Sequence, residues 1–259
     1  MIFNHCITPV LSNKSHHNSK NMKSVKTLIV LASILGSAVA GQAQSSVTPL
    51  LEMKKEKKKI NVAFLIYDQV EAMDLNGPID VFTKANVIDP SYHLYTVSAS
   101  SKHSVASEGG TVRMQSTYSF ENAPQADILI VPGAAPEVII SIVNNQPELF
   151  KWINKQNERT KLTMSVCTGA LLLSNAGILD GKKATTHYLA LDQLKQNPKI
   201  QIVEKVRFVE DGKLLTAAGI TSGLDSSLHL IELINGKGIA DQIGKIMIYN
   251  RNGDLSFME

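Results

Sequence analysis

The sequence predicts an α/β fold, a doubly wound and mostly parallel sheet, and three observations carry that expectation. Ile60 to Tyr67, Asp127 to Val131 and Leu162 to Val166 are short, nearly unbroken apolar runs, the pattern of strands buried on both faces. Stretches of helical length separate them, and strand, helix, strand, helix at this spacing means parallel pairing through right-handed crossovers. The third observation is an interruption: in LTMSVCTGALLL, Leu162 to Leu173, the apolar run stops at Cys167 and resumes after Thr168-Gly169. An apolar strand, one reactive side chain, a small residue and then helix formers is the pattern of a nucleophile elbow.

An elbow places Cys167 at a helix N-terminus, where unsatisfied N–H groups favour thiolate over thiol. The competing reading is a small buried hydrophobe. Cysteine usage bears on that choice. Of the two cysteines, Cys6 lies in a leader, and the lone thiol left in an exported, oxidising compartment fits a working residue better than a packing one.

The leader covers residues 1–44. Lys23 and Lys26 form a positive n-region, Thr27 to Val39 a short apolar h-region, and Ala38-Val39-Ala40 a small-x-small cleavage signal, so the signal peptide spans about 22–40, or 22–43 with a second cut after Ala43. Met22 directly precedes the n-region and is an alternative start that would leave residues 1–21 untranslated. The apolar run is too short for a comfortable membrane span. An exported product, periplasmic or secreted and without stable membrane insertion, is expected. The formal charge of +3 belongs to this leader: removing its four lysines leaves 22 basic against 23 acidic side chains, which gives no electrostatic case for a nucleic-acid partner.

Beyond the leader, 45–59 reads as a charged tether carrying Lys54, Lys55, Lys57, Lys58 and Lys59. One domain is expected over 60–252, followed by a polar tail, 253–259; an apolar fraction of 44% suffices for its core. Ile60 to Tyr67 is the first strand. A loop, Asp68 to Asn76, carries Asp68, Glu71 and Asp74, and Gly77-Pro78 opens an amphipathic stretch with proline in a first-turn position. Tyr92 to Ala99 is the second strand, Thr111 to Phe120 a β excursion and Asp127 to Val131 the third strand, ending at Pro132-Gly133. Helices from Pro136 and Pro147 precede the fourth strand and its elbow. A helix over Tyr188 to Gln196 follows, then strands Gln201 to Val209 and Lys213 to Ala217 across an Asp211-Gly212 turn. A helix with Leu224, Leu228, Ile231 and Ile234 on one stripe and a last helix, Ile239 to Tyr249, complete the chain. Asp225, three residues after Ser222, reads as a capping-box partner.

Such folds gather ligands at the carboxyl ends of their strands. There the sequence places Cys167, Gly133 and the loop bearing Asp74. Thr168 would supply the N–H next to the nucleophile and Gly133 a second, as an oxyanion hole. His93, His103 and His229 show no ligand spacing, so no metal is expected.

Val166-Cys167-Thr168-Gly169, Ala184-Thr185-Thr186-His187 and Val131-Pro132-Gly133 resemble motifs of the ThiJ/PfpI superfamily, relatives of class I glutamine amidotransferases. Met73 to Phe82 (MDLNGPIDVF) and Ala218 to Asp225 (AGITSGLD) are similar to its isonitrile hydratase branch and to the ligand-binding halves of AraC-type regulators. The resemblance implies a flavodoxin-like fold, a homodimer, no cofactor and a small-molecule substrate. It implies a lyase in which Cys167 attacks an isonitrile carbon, Asp74 serves as acid/base, Thr168 lines the site, and Gly133, Ala134 and Ile220 shape the pocket. A carboxyl close to a thiolate should hold its proton near neutrality. His187 matches a superfamily histidine near the nucleophile and equally fits a structural histidine. Thr168 stands where protease-like branches carry histidine, and Asp74 where glyoxalase-like branches carry glutamate. A non-catalytic binding or redox-responsive protein is the alternative.

Overall fold

The computed structural model describes residues 47–98 and 104–251. The expected leader, its cleavage signals, His103 and the polar tail lie outside the described residues.

The stretch expected as a charged tether is helical over 47–55, α1. Val47 and Leu50 are buried in the core, and Lys54 Nζ pairs with Asp89 at 2.7 Å. Two apolar side chains three residues apart share one helical face, so this stretch is a docked helix rather than a tether, with Lys54 at the edge of the docked face. β1 (Ile60–Ile66) is buried along almost its whole length. α2 (Ala72–Ile88) begins five residues before Gly77-Pro78, so proline sits inside the helix and Asp74 lies in its first turn rather than in a loop. Glu71 caps that turn, its side chain accepting from Met73 N at 3.1 Å. The missing Pro78 N–H would have bonded the Asp74 carbonyl, so α2 forgoes that bond in its second turn.

β2 (Tyr92–Ser98) is followed by β3 (Ser104–Ala106) and β4 (Arg113–Gln115), an antiparallel pair, and by the two-residue β5 (Tyr118–Ser119). β6 (Ile128–Val131) leads to α3 (Pro136–Asn145) and α4 (Pro147–Arg159), each with proline at its start as expected. β7 (Leu162–Val166) runs through the elbow into α5 (Gly169–Asn175). β8 (Lys183–Ala184) precedes a 3-10 turn and the single-turn α6 (Leu191–Leu194), shorter than the expected helix.

The strand expected over Gln201 to Val209 is two strands. β9 (Gln201–Ile202) pairs with β8, and β10 (Phe208–Asp211) pairs with β11 (Leu214–Ala217). The division falls at Lys205, whose φ of +56° is left-handed and incompatible with a continuous strand. α7 (Ser222–Asn235) buries Leu224, Leu228, Ile231 and Ile234 as the stripe requires, and α8 (Lys237–Ile246) closes the described chain. Thr221 and Ser222 make no capping bond. Asp225 turns inward to Arg207 and Tyr249, its Oδ2 accepting from Tyr249 OH at 3.0 Å.

The main sheet has the order β10-β11-β7-β6-β1-β2-β5, parallel except for the β10–β11 edge. Val131 is level with Ser165, and Val166 with Ala217. That register brings the segments leaving β6, β7 and β11 to one level at the sheet's carboxyl edge, which is where the elbow turns.

Candidate active site

Cys167 has a φ of +57°, a left-handed conformation costing an L-residue about 1 kcal/mol. It is held from both sides: its N–H donates to Ala217 O at 2.9 Å, and its carbonyl accepts from Thr186 Oγ1 at 2.9 Å. The turn admits only glycine two positions later, because a Cβ on Gly169 would lie 2.2 Å from Val131 O and 2.9 Å from Pro132 O. Both obstacles are backbone and cannot swing aside. Gly169→Ala is expected to cost about 3 kcal/mol or more, read as a lowered denaturant midpoint, with loss of soluble protein as its extreme form.

Asp74 is fully buried and Cys167 is 8% exposed. The carboxyl and the thiol face each other; after burial Asp74 is the largest influence on the thiol, whereas the Gly133 N–H and the Glu71 charge outweigh Cys167 at the carboxyl. Burial pushes the Asp74 carboxyl up to about 7; the neighbouring Glu71 adds to the rise, while N–H groups of Gly133 and Ile220 and the Cys167 thiol oppose it. Oδ2 accepts from Gly133 N at 3.1 Å, and Oδ1 is buried with no aligned donor. An O–H on Oδ1 with Oδ2 still accepting suits this environment, which is why proton retention to near neutrality is the carboxyl's natural state here. Burial is the first cause, as expected, but the like charge is that of Glu71 rather than of the thiolate.

The thiol departs from expectation. Burial, then the Asp74 charge, push the Cys167 thiol up well above its ordinary value, although the N–H groups of Thr168 and Ile220 favour the thiolate. Two N–H groups do not offset removal from water beside a carboxylate. At rest the sulfur therefore carries its proton.

The oxyanion donors also change identity. The Gly133 N–H is committed to Asp74 Oδ2, and the Ala134 N–H donates to Thr168 Oγ1 at 2.9 Å, while that hydroxyl donates back to Ala134 O at 2.6 Å. The N–H groups turned toward the sulfur are those of Thr168 and Ile220. Gly133 instead makes room: a Cβ there would lie 2.5 Å from Thr168 Oγ1 and 2.9 Å from Asp74 Oδ2. Ile220 itself has a φ of +24° and is 40% exposed, so its N–H points inward while its side chain edges the site.

His187 lies over Gly219, whose added Cβ would meet His187 Cδ2 at 2.8 Å and Cys167 Sγ at 3.6 Å. Burial lowers its pKa, leaving a neutral ring at the rim. The other described histidines have local partners: His229 faces Glu210 at 2.9 Å and His93 faces Asn61 at 3.1 Å. Asp68 accepts from Ala106 N at 3.0 Å, a loop contact. Three participants escaped the sequence reading. Thr186 lies in the Ala184 to His187 motif but was assigned no role there, Tyr67 acts through a single hydroxyl with no local pattern to announce it, and Glu71 was read as a loop carboxylate although it caps α2.

A buried cysteine on a strained strand-to-helix turn, opposite a buried carboxyl at the carboxyl edge of a doubly wound sheet, defines an α/β protein of the cysteine-elbow class. The chain belongs to the DJ-1/PfpI family, whose family model matches residues 60–233. It is 34% identical over 184 residues to the isonitrile hydratase of Pseudomonas putida, covering 71% of this chain and 76% of that protein. It is 29% identical over 191 residues to the HTH-type transcriptional regulator CdhR of Pseudomonas aeruginosa, covering 73% of this chain and 54% of the regulator. Among solved structures, a ThiJ/PfpI family protein from Pseudomonas syringae superposes with a TM-score of 0.66 at 28% identity, covering 76% of each chain.

Proposed function

We propose that this protein is a cysteine-dependent hydratase that adds water to an isonitrile or a similar small electrophile. The observation that carries the reading is the buried Cys167 thiol facing an Asp74 carboxyl poised near pH 7, a nucleophile beside a proton carrier that titrates near neutrality; the likeness to an isonitrile hydratase supplies the substrate class.

Because the thiol is protonated at rest, the reaction begins with the Asp74 carboxylate taking the sulfur's proton as the sulfur bonds to the isonitrile carbon. Asp74 then delivers that proton to the same carbon. The product is a thioimidate, R–N=CH–S, on Cys167, and the charge of the buried site is unchanged, with Asp74 a carboxylate before and after. Water adds to the thioimidate carbon, and Asp74 relays one of its protons to the substrate nitrogen, leaving the other on the new hydroxyl for the departing sulfur. Collapse of the adduct breaks the C–S bond, releases R–NH–CHO, and returns a proton to sulfur. Charge developing on sulfur during attack and departure faces the Thr168 and Ile220 N–H groups.

The test is turnover. Purified protein given an aryl isonitrile should form the N-aryl formamide catalytically, followed by chromatography of the product. A second reading, ligand binding or redox response without catalysis, is supported by the likeness to a regulator. No formamide from a range of isonitriles, together with reversible peroxide oxidation of Cys167, would replace the first reading by the second. We further propose export and a homodimer. Fractionation of cells making the full chain, and light scattering of the product, decide these separately from the chemistry.

A further inference from the structure

The turn that leaves β6 is bonded at every polar main-chain atom from Pro132 O to Ala134 O. Pro132 O accepts from Tyr67 OH at 2.7 Å, Gly133 N donates to Asp74 Oδ2 at 3.1 Å, and Gly133 O accepts from Glu71 N at 2.9 Å. The Ala134 N–H and carbonyl both engage Thr168 Oγ1. Pro132 O and Gly133 N belong to one peptide unit, and in a planar trans peptide these two atoms point in opposite directions. Tyr67 therefore grips one end of the unit whose other end holds the Asp74 carboxyl.

We propose that Tyr67 is a positioning residue that sets the proton affinity of Asp74 through the Pro132–Gly133 peptide. Tyr67 stands at the end of β1 with 1% exposure, and its hydroxyl is buried. Donation to a carbonyl polarises the whole amide and strengthens the N–H at its far end. It also fixes the tilt of the plane, and with it the alignment of the one main-chain bond to Oδ2. The groups facing Asp74 are Glu71 at the start of α2, Cys167 at the elbow, Tyr67 at the end of β1, and the N–H groups of Gly133 and Ile220. Of these, only Gly133 N–H is hydrogen-bonded through its peptide to Tyr67, and any direct field of the neutral hydroxyl on the carboxylate comes in addition to that bonded route.

Its consequence for turnover rests on the proposed acid/base role of Asp74, but the carboxyl can be titrated without substrate. Infrared difference spectra of the full chain against Asp74→Asn isolate the buried carboxyl stretch as pH is varied. Tyr67→Phe removes one oxygen, and the Asp74 titration is expected to move up by about half a pH unit as its N–H donor weakens. Tyr95→Phe is the matched control, because Tyr95 OH donates to Pro124 O at 3.0 Å away from the site; it should lower stability comparably and leave the titration in place. Where Tyr67→Phe does not fold, 3-fluorotyrosine at position 67 keeps the bond and strengthens the donor, and the titration should move down. An Asp74 titration that stays where it is in either Tyr67 variant, or moves equally in Tyr95→Phe, overturns the proposal. A shifted titration in a protein that hydrates nothing would keep the proposal and remove the hydratase reading.

Discussion

Replacing Cys167 by alanine is expected to abolish formamide formation, a loss of at least about 10⁴-fold in kcat/KM, with the fold retained. The side chain lost is small and supplies the only sulfur among the described residues' free thiols. Nothing else on the carboxyl edge can replace it: Thr168 Oγ1 is engaged with both main-chain groups of Ala134, and Thr186 Oγ1 with the Cys167 carbonyl. The elbow itself is held by main-chain bonds that alanine keeps, so circular dichroism and the unfolding midpoint should change little. Cys167→Ser makes the argument sharper. It retains a hydroxyl in place, but an alcohol oxygen is a harder and intrinsically poorer nucleophile than sulfur toward the isonitrile carbon. Turnover by the alanine protein at more than a hundredth of the wild-type rate would dispose of covalent catalysis at this sulfur.

Asp74→Asn is expected to lower kcat/KM about 10³-fold while making the protein more stable at pH 8, two effects of opposite sign from one atom change. The amide can accept the Gly133 N–H but cannot carry the proton between sulfur and carbon. For the wild type, kcat/KM should fall as pH drops below about 7, because attack requires the carboxylate form.

The stability effect follows from linkage. The folded carboxyl is raised from 3.8 to about 7, so between those values the folded state binds more protons than the unfolded chain, and stability falls as pH rises through that window. Above it both states are ionised and the penalty is constant. Burying this carboxylate costs up to about 4 kcal/mol at pH 8, the upper limit set by a three-unit shift. The amide carries no such penalty. Denaturant midpoints of the two proteins should therefore converge near pH 4 and separate by pH 8, with the asparagine protein higher. Equal midpoints at both pH values would show that Asp74 is not held in the buried state described.

The fold was legible because burial on both faces of a parallel sheet leaves a direct mark: Ile60 to Tyr67 and Leu162 to Val166 have no polar face to alternate with. Cys167 and Gly169 were legible for a related reason, since a reactive residue and a glycine interrupting an apolar run are local events. Three local readings failed where a tertiary contact decided the matter. Pro78 suggested a helix start, but Glu71 had already capped the turn. The lysines of 47–59 suggested a solvated strand of chain, but Val47 and Leu50 found a core to enter. Lys205 broke an apolar run by a backbone angle that no residue type announces.

By itself, then, the sequence determined which strands are buried, where the chain turns from β7 into α5, and that one cysteine and one aspartate lie at the same edge of the sheet. Only the tertiary structure decided the protonation of that pair and the identity of the N–H groups around it. Burial and the direction of a peptide plane are sums over neighbours distant in the chain: Asp74 meets Gly133 fifty-nine residues away and Pro132 meets Tyr67 sixty-five residues away. The thiol's raised proton affinity and the commitment of Gly133 N–H to the carboxyl arise from those encounters, and no property of either residue alone contains them.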